Sequence, residues 1–320
     1  MTIHDVKVVE ALYTTHNQFF DKHPSVQNFT LRFLGKSILF DESSKNWRDR
    51  RKAMTPAFYK GKLQGLIEIA KKQVARTMER FESLTEQGAV EINIIGEVAT
   101  MMTDILLSCT IGEECTQVLV DQWEHGTQIK VGLGHALRTT FQSLINRMSL
   151  PHTCLFPSLA DKYLTRDERD LAANCTSIRN MVAKVINDRK LSGTKGTDDL
   201  VDILMGDPLF NTDIEKTIDE ILTIFFAGSQ TSANVTQNLI LHLCKHPHYK
   251  QKLMRELEEP DSELTFYTYC FNEAMRIQPP VFYSSTVRMS QDVVAGGLHI
   301  RKHDGIFIGM GALCNDPDEW

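Results

Sequence analysis

Ala227-Gly228-Ser229-Gln230-Thr231-Ser232 lies inside the longest helical run of this 320-residue chain. From about Asp213 to Lys245 apolar residues recur at three- and four-residue spacing, the pattern of an amphipathic helix. Thr212 and Glu215 read as a capping box at its start, each side chain satisfying a free backbone N–H. His246-Pro247 ends it, because a residue before proline disfavours the helical region. At 1.5 Å per residue the helix is roughly 50 Å long, enough to cross a whole domain. Ala227, Gly228 and Thr231 share one face of it. A glycine in mid-helix costs about 1 kcal/mol relative to alanine. Two readings explain it: close approach of a flat ligand to the backbone, or a helix crossing that needs a small residue.

Helical texture extends both ways from this segment. Lys45 to Tyr59 and Lys62 to Leu84 carry apolar residues at helical spacing among many charges. Ile92 to Ile111 is apolar all round and predicts a buried helix. Val118 to Met148 predicts one or two helices, broken afterwards by Pro151 and Pro157. Asp167 to Lys190 is charged with an apolar stripe, and Gly193 to Gly196 predicts a loop. Pro247 can open a further helix at its first position. Glu263 to Arg276 predicts another, stopped by Pro279-Pro280. Beyond it Val281 to Val287, Val293-Val294, Leu298 to Ile300 and Ile306 to Ile308 are short, β-branched runs separated by turn residues. The prediction is a mainly α (α+β) fold, a helical body with a small C-terminal β region.

Composition narrows the function classes. Hydrophobic content of 42% and charged content of 24% are those of an ordinary globular chain. A net charge of −6 supplies no basic footprint for phosphate contacts, so no nucleic-acid partner is expected. The strongest apolar stretch, Ile221 to Gly228, is far short of the roughly 20 residues of a membrane span. Met1 to Asp5 lacks the basic and apolar regions of a signal peptide. The seven cysteines, 109, 115, 154, 175, 244, 270 and 314, are widely spaced without C-x-x-C, which predicts buried free thiols in a reducing compartment.

Three further clusters carry chemistry. Glu273 and Arg276 are three apart and can pair on one helix face. Trp47 and Arg51 are four apart; both are donors without acceptor capacity, so together they read either as a pair that suits an anionic carboxylate or as an aromatic anchor beside a solvated arginine. Arg48, Arg50, Lys52, Lys60 and Lys62 form a basic run, readable as a solvated face or as a docking patch for an acidic partner. His242, His246 and His248 favour the negative end of the long helix more than a shared metal ion.

The order of these pieces resembles the cytochrome P450 family of haem-thiolate monooxygenases. The resemblance runs from the helix at Asp5 to Trp320. It rests on Trp47 with Arg51-Lys52-Ala53-Met54-Thr55-Pro56-Ala57-Phe58 and on Ala227-Gly228-Ser229-Gln230-Thr231-Ser232. Leu243 to Pro247 and Glu273-Ala274-Met275-Arg276 followed by Pro279-Pro280 continue it. Gly296-Gly297-Leu298-His299-Ile300 and Asn315 to Trp320 complete it, with Arg301 at the family's proline and Asn315 at its histidine.

This resemblance implies haem b as cofactor, with Trp47, Arg51 and Arg288 on its propionates. Ala227, Gly228, Gln230 and Thr231 would line the oxygen site, with Thr231 and Gln230 as the catalytic pair. Glu273 and Arg276 would form a buried structural network. It also implies NADPH as electron source through a reductase, docking near Arg48, Arg50 and Lys52. A small apolar organic substrate would lie against the central helix and parts of Val118–Met148. A full-length relative would sit on the cytosolic face of the endoplasmic reticulum membrane. Gln230 stands where the family has an acid, and an amide cannot deliver a proton by ionising.

The family's F-x-x-G-x-R-x-C-x-G loop does not occur in these 320 residues. The expectation is therefore a single P450 domain over 1–320, truncated at both ends, without the haem-ligating cysteine. The alternative is a catalytically inactive helical remnant that acts as a binding or interaction module.

Overall fold

The periodic runs fold as helices in the computed structural model, which describes residues 1–86, 88, 91–148, 150, 165–192, 199–259 and 262–320. Pro151, Cys154, Pro157 and the Gly193 to Gly196 loop lie outside them, as do the side chains of Lys60 and Lys62. Strand β1 is Thr2–Ile3, helix α1 Val6–Tyr13, β2 Phe20–Lys22, α2 Pro24–Leu34, α3 Lys45–Met54, α4 Lys60–Thr85 and α5 Ile94–Thr110. Strands β3, Leu119–Glu124, and β4, Thr127–Gly132, precede α6, Leu133–Met148. Next come α7, Arg166–Ser192, α8, Leu200–Met205, α9, Pro208–Asn211, and the long α10, Ile214–Lys245. The last elements are α11, Pro247–Glu258, α12, Thr265–Ile277, β5, Val287–Met289, β6, Val293–Ala295, β7, Leu298–Ile300, β8, Phe307–Ile308, and α13, Met310–Leu313. These residues group into two compact units, Pro24–Gln230 and Met1–His23 with Thr231–Trp320; the boundary falls within α10.

In the unit Pro24–Gln230 the core is helix against helix. Leu171, Cys175, Ile178, Val182 and Ile186 form a buried stripe along α7, at spacings of four, three, four and four. Each large apolar side chain buried this way contributes about 1.5–3 kcal/mol. A chain of edge-on aromatics joins α2, α6 and α10: Phe33 to Phe141 at 5.3 Å and Phe141 to Phe226 at 5.4 Å, with Phe40 to Phe226 at 6.0 Å.

Three helix expectations are corrected here. Val118 to Met148 is not helical throughout: β3 and β4 form an antiparallel hairpin with Val120 opposite Val131 and Glu124 opposite Thr127. His125 and Gly126 turn it with φ of 50° and 76°, the two positive values that match the natural twist of a two-residue hairpin. The amide of Asn174 on α7 clamps the strand, accepting from Trp123 N at 2.7 Å and donating to Trp123 O at 3.0 Å. The capping box does not form. Thr212 Oγ1 donates to Pro208 O at 2.8 Å and Glu215 pairs with Arg179 at 2.5 Å, so both side chains are engaged elsewhere. α5 is not buried all round either, since Ile95 is 62% exposed while Leu107 is fully buried.

The unit formed by Met1–His23 and Thr231–Trp320 holds the small β region. β6 and β7 are joined by Gly296 and Gly297, both at positive φ, a hairpin legible in the sequence. A Cβ on Gly296 would stand 2.8 Å from Val8 N, so α1 also requires a glycine there. Two pairings join distant parts of the chain: β1 runs parallel to β8, and β2 antiparallel to β5. Val8, Leu12, Met289, Ala295, Ile300, Ile306 and Ile308 form a second core under these ladders. No described helix is long and apolar enough to cross a membrane.

Candidate functional site

Helix α3 presents the first cluster. Ser44 caps its start, Oγ accepting from Trp47 N at 3.1 Å, which fixes the rotation of the first turn. One turn later the Arg51 guanidinium lies over the Trp47 ring, 5.3 Å from its centroid. No carboxylate among the described residues is paired with Arg51. The indole N–H is already engaged: it donates to Ile38 O at 2.7 Å. The expected pair of converging donors is therefore one donor, Arg51, resting on an anchored ring.

Arg48 and Lys52 are exposed on the same helix, but Arg50 is 1% exposed. It is held by Asp41 Oδ2 at 2.6 Å and Glu220 Oε1 at 3.1 Å. Arg50 cannot belong to a docking surface, and this part of the expected reductase patch is corrected. The carboxylates that bury it sit in the α2–α3 connection and inside α10, where the sequence gives no local hint of α3.

On α10, Ala227 and Gln230 are exposed, Gly228 is half-buried and Ser229 is buried, its Oγ donating to Phe225 O at 2.8 Å. A Cβ on Gly228 would come within 3.2 Å of Leu106 Cδ1 on α5. Of the two readings of this glycine, the helix crossing is the one that its surroundings account for. Thr231, half-buried, follows in the second unit.

The second unit carries the remaining residues. Arg288 lies on β5 directly opposite Asp21 of β2, which places the two side chains on one face of the ladder. Its Nη1 is 3.4 Å from His303 Nδ1. Burial, followed by the charges of Arg288 and His303, lowers the pKa of His23. His23 and His303 were not singled out in the sequence; neither sits in a motif, and only the fold brings them beside Arg288.

Glu273 and Arg276 meet as expected, in two parallel hydrogen bonds of 2.8 Å. Arg276 Nη1 also donates to Cys314 O at 2.9 Å, and its guanidinium stands 5.2 Å from the Trp320 ring. The hydrogen bonds from Arg276 hold the Glu273 carboxyl below its ordinary range. The pair is not buried, however: the Glu273 side chain is 55% exposed. Asn315, the departure from the family's histidine, caps α12. Its Nδ2 donates to Ile277 O at 3.2 Å and to Gly311 O at 3.0 Å.

Donor chemistry thus suits the carboxylate edge of a haem at Arg51 and, separately, at Arg288 with its two imidazoles. Three of the described thiols do not suit the iron. A haem-thiolate ligand needs a thiol that ionises readily. Burial pushes Cys109 up to about 11 and Cys175 up to about 12, and burial also raises Cys270. Cys109, Cys115 and Cys175 are buried free thiols as expected, whereas Cys244 is exposed. Among the described residues no group of three His, Cys, Asp or Glu side chains could hold a metal ion, the three histidines near the end of α10 included.

Comparison with known proteins agrees with the fold. The sequence model of one family, described as "Cytochrome P450", matches residues 1–320. Human "Cytochrome P450 4F11" is 25% identical over 327 residues, covering 91% of this chain and 59% of the relative. "Cytokinin hydroxylase" of Arabidopsis thaliana is 25% identical over 339 residues, covering 99% and 61%. Human "Ultra-long-chain fatty acid omega-hydroxylase" is 24% identical over 319 residues, covering 89% and 55%. The chain spans about three fifths of the length of the first two of these relatives. A mainly helical chain with these motifs in this order, matched from its first residue to its last, belongs to the cytochrome P450 family.

Proposed function

We propose that this chain is part of a haem-dependent monooxygenase that inserts one oxygen atom of dioxygen into a small apolar organic substrate. NADPH supplies the electrons through a reductase. Haem b, when bound through a thiolate, supplies the oxygen-activating chemistry. The chain's own residues bind and orient. Arg51, steadied by the Trp47 ring, is a donor for a haem propionate, as is Arg288 beside His303. Ala227 leaves open space on α10, and Gln230 and Thr231 supply hydrogen-bonding groups there. Because Gln230 cannot ionise, a proton reaching this face passes through Thr231 Oγ1 and water. Glu273 with Arg276 holds α12 to the Cys314–Trp320 segment.

Arg48 and Lys52 offer the exposed cations for an acidic electron donor. The substrate lies against α10 and α6. Hydroxylation is the reaction in the names of two relatives, and it fits an apolar substrate whose C–H bond is the only handle. For the full-length protein the endoplasmic reticulum membrane, cytosolic face, is the proposed location.

The observation that carries this reading is the Arg51 guanidinium, stacked on an anchored indole with no carboxylate partner among the described residues. The test is haem titration of the 320-residue chain. Arg51→Ala and Arg288→Ala should each weaken uptake about tenfold or more, the value of a lost charge-assisted hydrogen bond of about 1.5–3 kcal/mol. Burial holds Cys109, Cys175 and Cys270 as thiols, and the family's cysteine loop does not occur in these 320 residues, so the reduced carbon monoxide complex of this chain should lack the thiolate-type Soret band. Uptake indifferent to both substitutions would refute the site.

A further inference from the structure

Two adjacent acids of α10 bind the backbone of the α2–α3 connection. Lys36 N donates to Asp219 Oδ2 at 3.0 Å. Ile38 N is shared between both carboxylate oxygens of Glu220, at 3.1 Å each. Two arginines from other helices close the arrangement. Arg50 of α3 reaches Glu220, Asp41 and the carbonyl of Lys36. Arg179 of α7 pairs with Asp219 Oδ1 at 2.8 Å and donates to Phe33 O at 2.8 Å. Arg50 and Glu220 have side chains 1% and 0% exposed.

Withdrawing such charges from water costs more than a buried pair commonly returns, so stability is a poor reason for the cluster. Position is a better one. The peptide that Glu220 holds by its N–H is Ile38, and the carbonyl of Ile38 takes the indole N–H of Trp47. The Trp47 ring in turn carries Arg51. A continuous path of contacts therefore runs from the Glu220 carboxylate to the Arg51 guanidinium.

We infer that Glu220 is a protonation-sensitive positioning residue that sets the Trp47–Arg51 pair through Ile38. As a carboxylate it accepts from Ile38 N and Arg50 together. Ile38 N is shared by both oxygens whereas Arg50 meets Oε1 alone, so a proton on either oxygen turns one acceptor of Ile38 N into a donor and weakens that contact. Ile38 then shifts, and the indole shifts with it. The groups facing Glu220 are Ile38 N and Arg50, which favour its charge, and Asp41 and Asp219, which oppose it; burial outweighs them and carries the carboxyl up to about 7. The consequence for a haem edge rests on the function proposed above, whereas the coupling to Trp47 does not.

The test uses the full chain labelled with 15N-tryptophan, whose three indole N–H signals are Trp47, Trp123 and Trp320. Trp47 is assigned with Trp47→Phe. Its signal should titrate with a midpoint of about 7. Glu220→Gln should abolish the titration, Glu220→Asp should keep it at a displaced midpoint, and Glu215→Gln, an exposed neighbour on α10, should leave it unchanged. A Trp47 signal that does not titrate in the unsubstituted chain overturns the inference, and this outcome needs no variant to fold. A titration that survives Glu220→Gln overturns it as well. Haem uptake measured on the same samples separates the two readings: absent uptake with an intact Trp47 titration removes the haem assignment alone.

Discussion

Leu106 of α5 covers the open face of Gly228 of α10, its two methyl carbons 3.2 and 3.3 Å from where a Cβ would stand. Gly228→Ala should therefore gain about 1 kcal/mol of helix propensity and lose a similar amount to crowding, for a net change near zero. In a Leu106→Ala background the crowding is gone, and the same substitution should stabilise by about 1 kcal/mol. Urea unfolding of the four chains gives the coupling directly. Equal effects of Gly228→Ala in both backgrounds would mean that Leu106 is not what the glycine accommodates.

Gly35 is a second glycine with a defined reason. Its φ is +54°, and a Cβ there would collide with the carboxylate of Asp219. Gly35→Ala should destabilise by at least about 3 kcal/mol, the scale of a disrupted buried ion pair plus left-handed backbone strain. Asp219→Asn should cost less, because the amide keeps the shape and one acceptor. Thermal unfolding decides it; a Gly35→Ala chain within about 1 kcal/mol of the parent would show that Asp219 can move aside.

The helices and the C-terminal hairpin were legible because their signals are local. Periodicity marks α4, α7 and α10, and two glycines mark the turn between β6 and β7. The β3–β4 hairpin also left a local sign, the alternation around Val120, Gln122 and the His125-Gly126 turn, but the same residues fit a helix nearly as well. β1 and β2 left none. They are two and three residues long and exist only through β8 and β5, nearly the whole chain away. At the site, pairs on one helix could be read from spacing, as with Trp47 and Arg51. What each pair touches could not: Ile38 beneath the indole, Glu220 beneath Arg50, and His303 beside Arg288 are tertiary facts. Acids inside an apolar helix read as solvent-facing until a distant arginine is seen.

The basic run on α3 separates into two behaviours. Arg48→Glu and Lys52→Glu alter exposed charges and should leave the unfolding midpoint within about 0.5 kcal/mol of the parent. Under the function proposed above, they should slow electron transfer from an acidic donor protein, most at low salt, as expected for a steering charge. Arg50→Gln should instead destabilise by about 3–5 kcal/mol, because it leaves Asp41 and Glu220 without their partner. Stopped-flow reduction and denaturant unfolding measured together separate the two effects. A purely kinetic effect of Arg50→Gln would return that residue to the docking surface.

Thiol chemistry should follow burial. At pH 8 iodoacetamide should modify Cys244 first, since it is exposed. Cys109 and Cys175, with pKa values pushed up to about 11 and about 12 by burial, have almost no thiolate at that pH and no access. They should react only after urea unfolds the chain. Peptide mass mapping before and after denaturation reads the order; early modification of Cys175 would mean that the α7 stripe opens locally.

The contribution of Glu220 to stability should fall, not rise, as a neutral solution is approached from acid. The Glu220 carboxyl has a native pKa of about 7, above the roughly 4.3 of an unfolded chain, so the folded state holds its proton more tightly. The contribution of this group is fully present below the unfolded value and is lost as pH rises through the native one. The loss is on the order of 4 kcal/mol at most, from about 1.4 kcal/mol per unit of displacement. Glu220→Gln keeps a neutral side chain at every pH and should flatten that limb of the stability curve. Other carboxylates act in the opposite sense: Glu113, held below its ordinary range by Lys72, favours folding more as pH rises. The measurement is therefore the difference between parent and Glu220→Gln unfolding curves from pH 4.5 to 7.5. A difference that does not change with pH would mean that Glu220 carries the same charge throughout and does not titrate near neutrality.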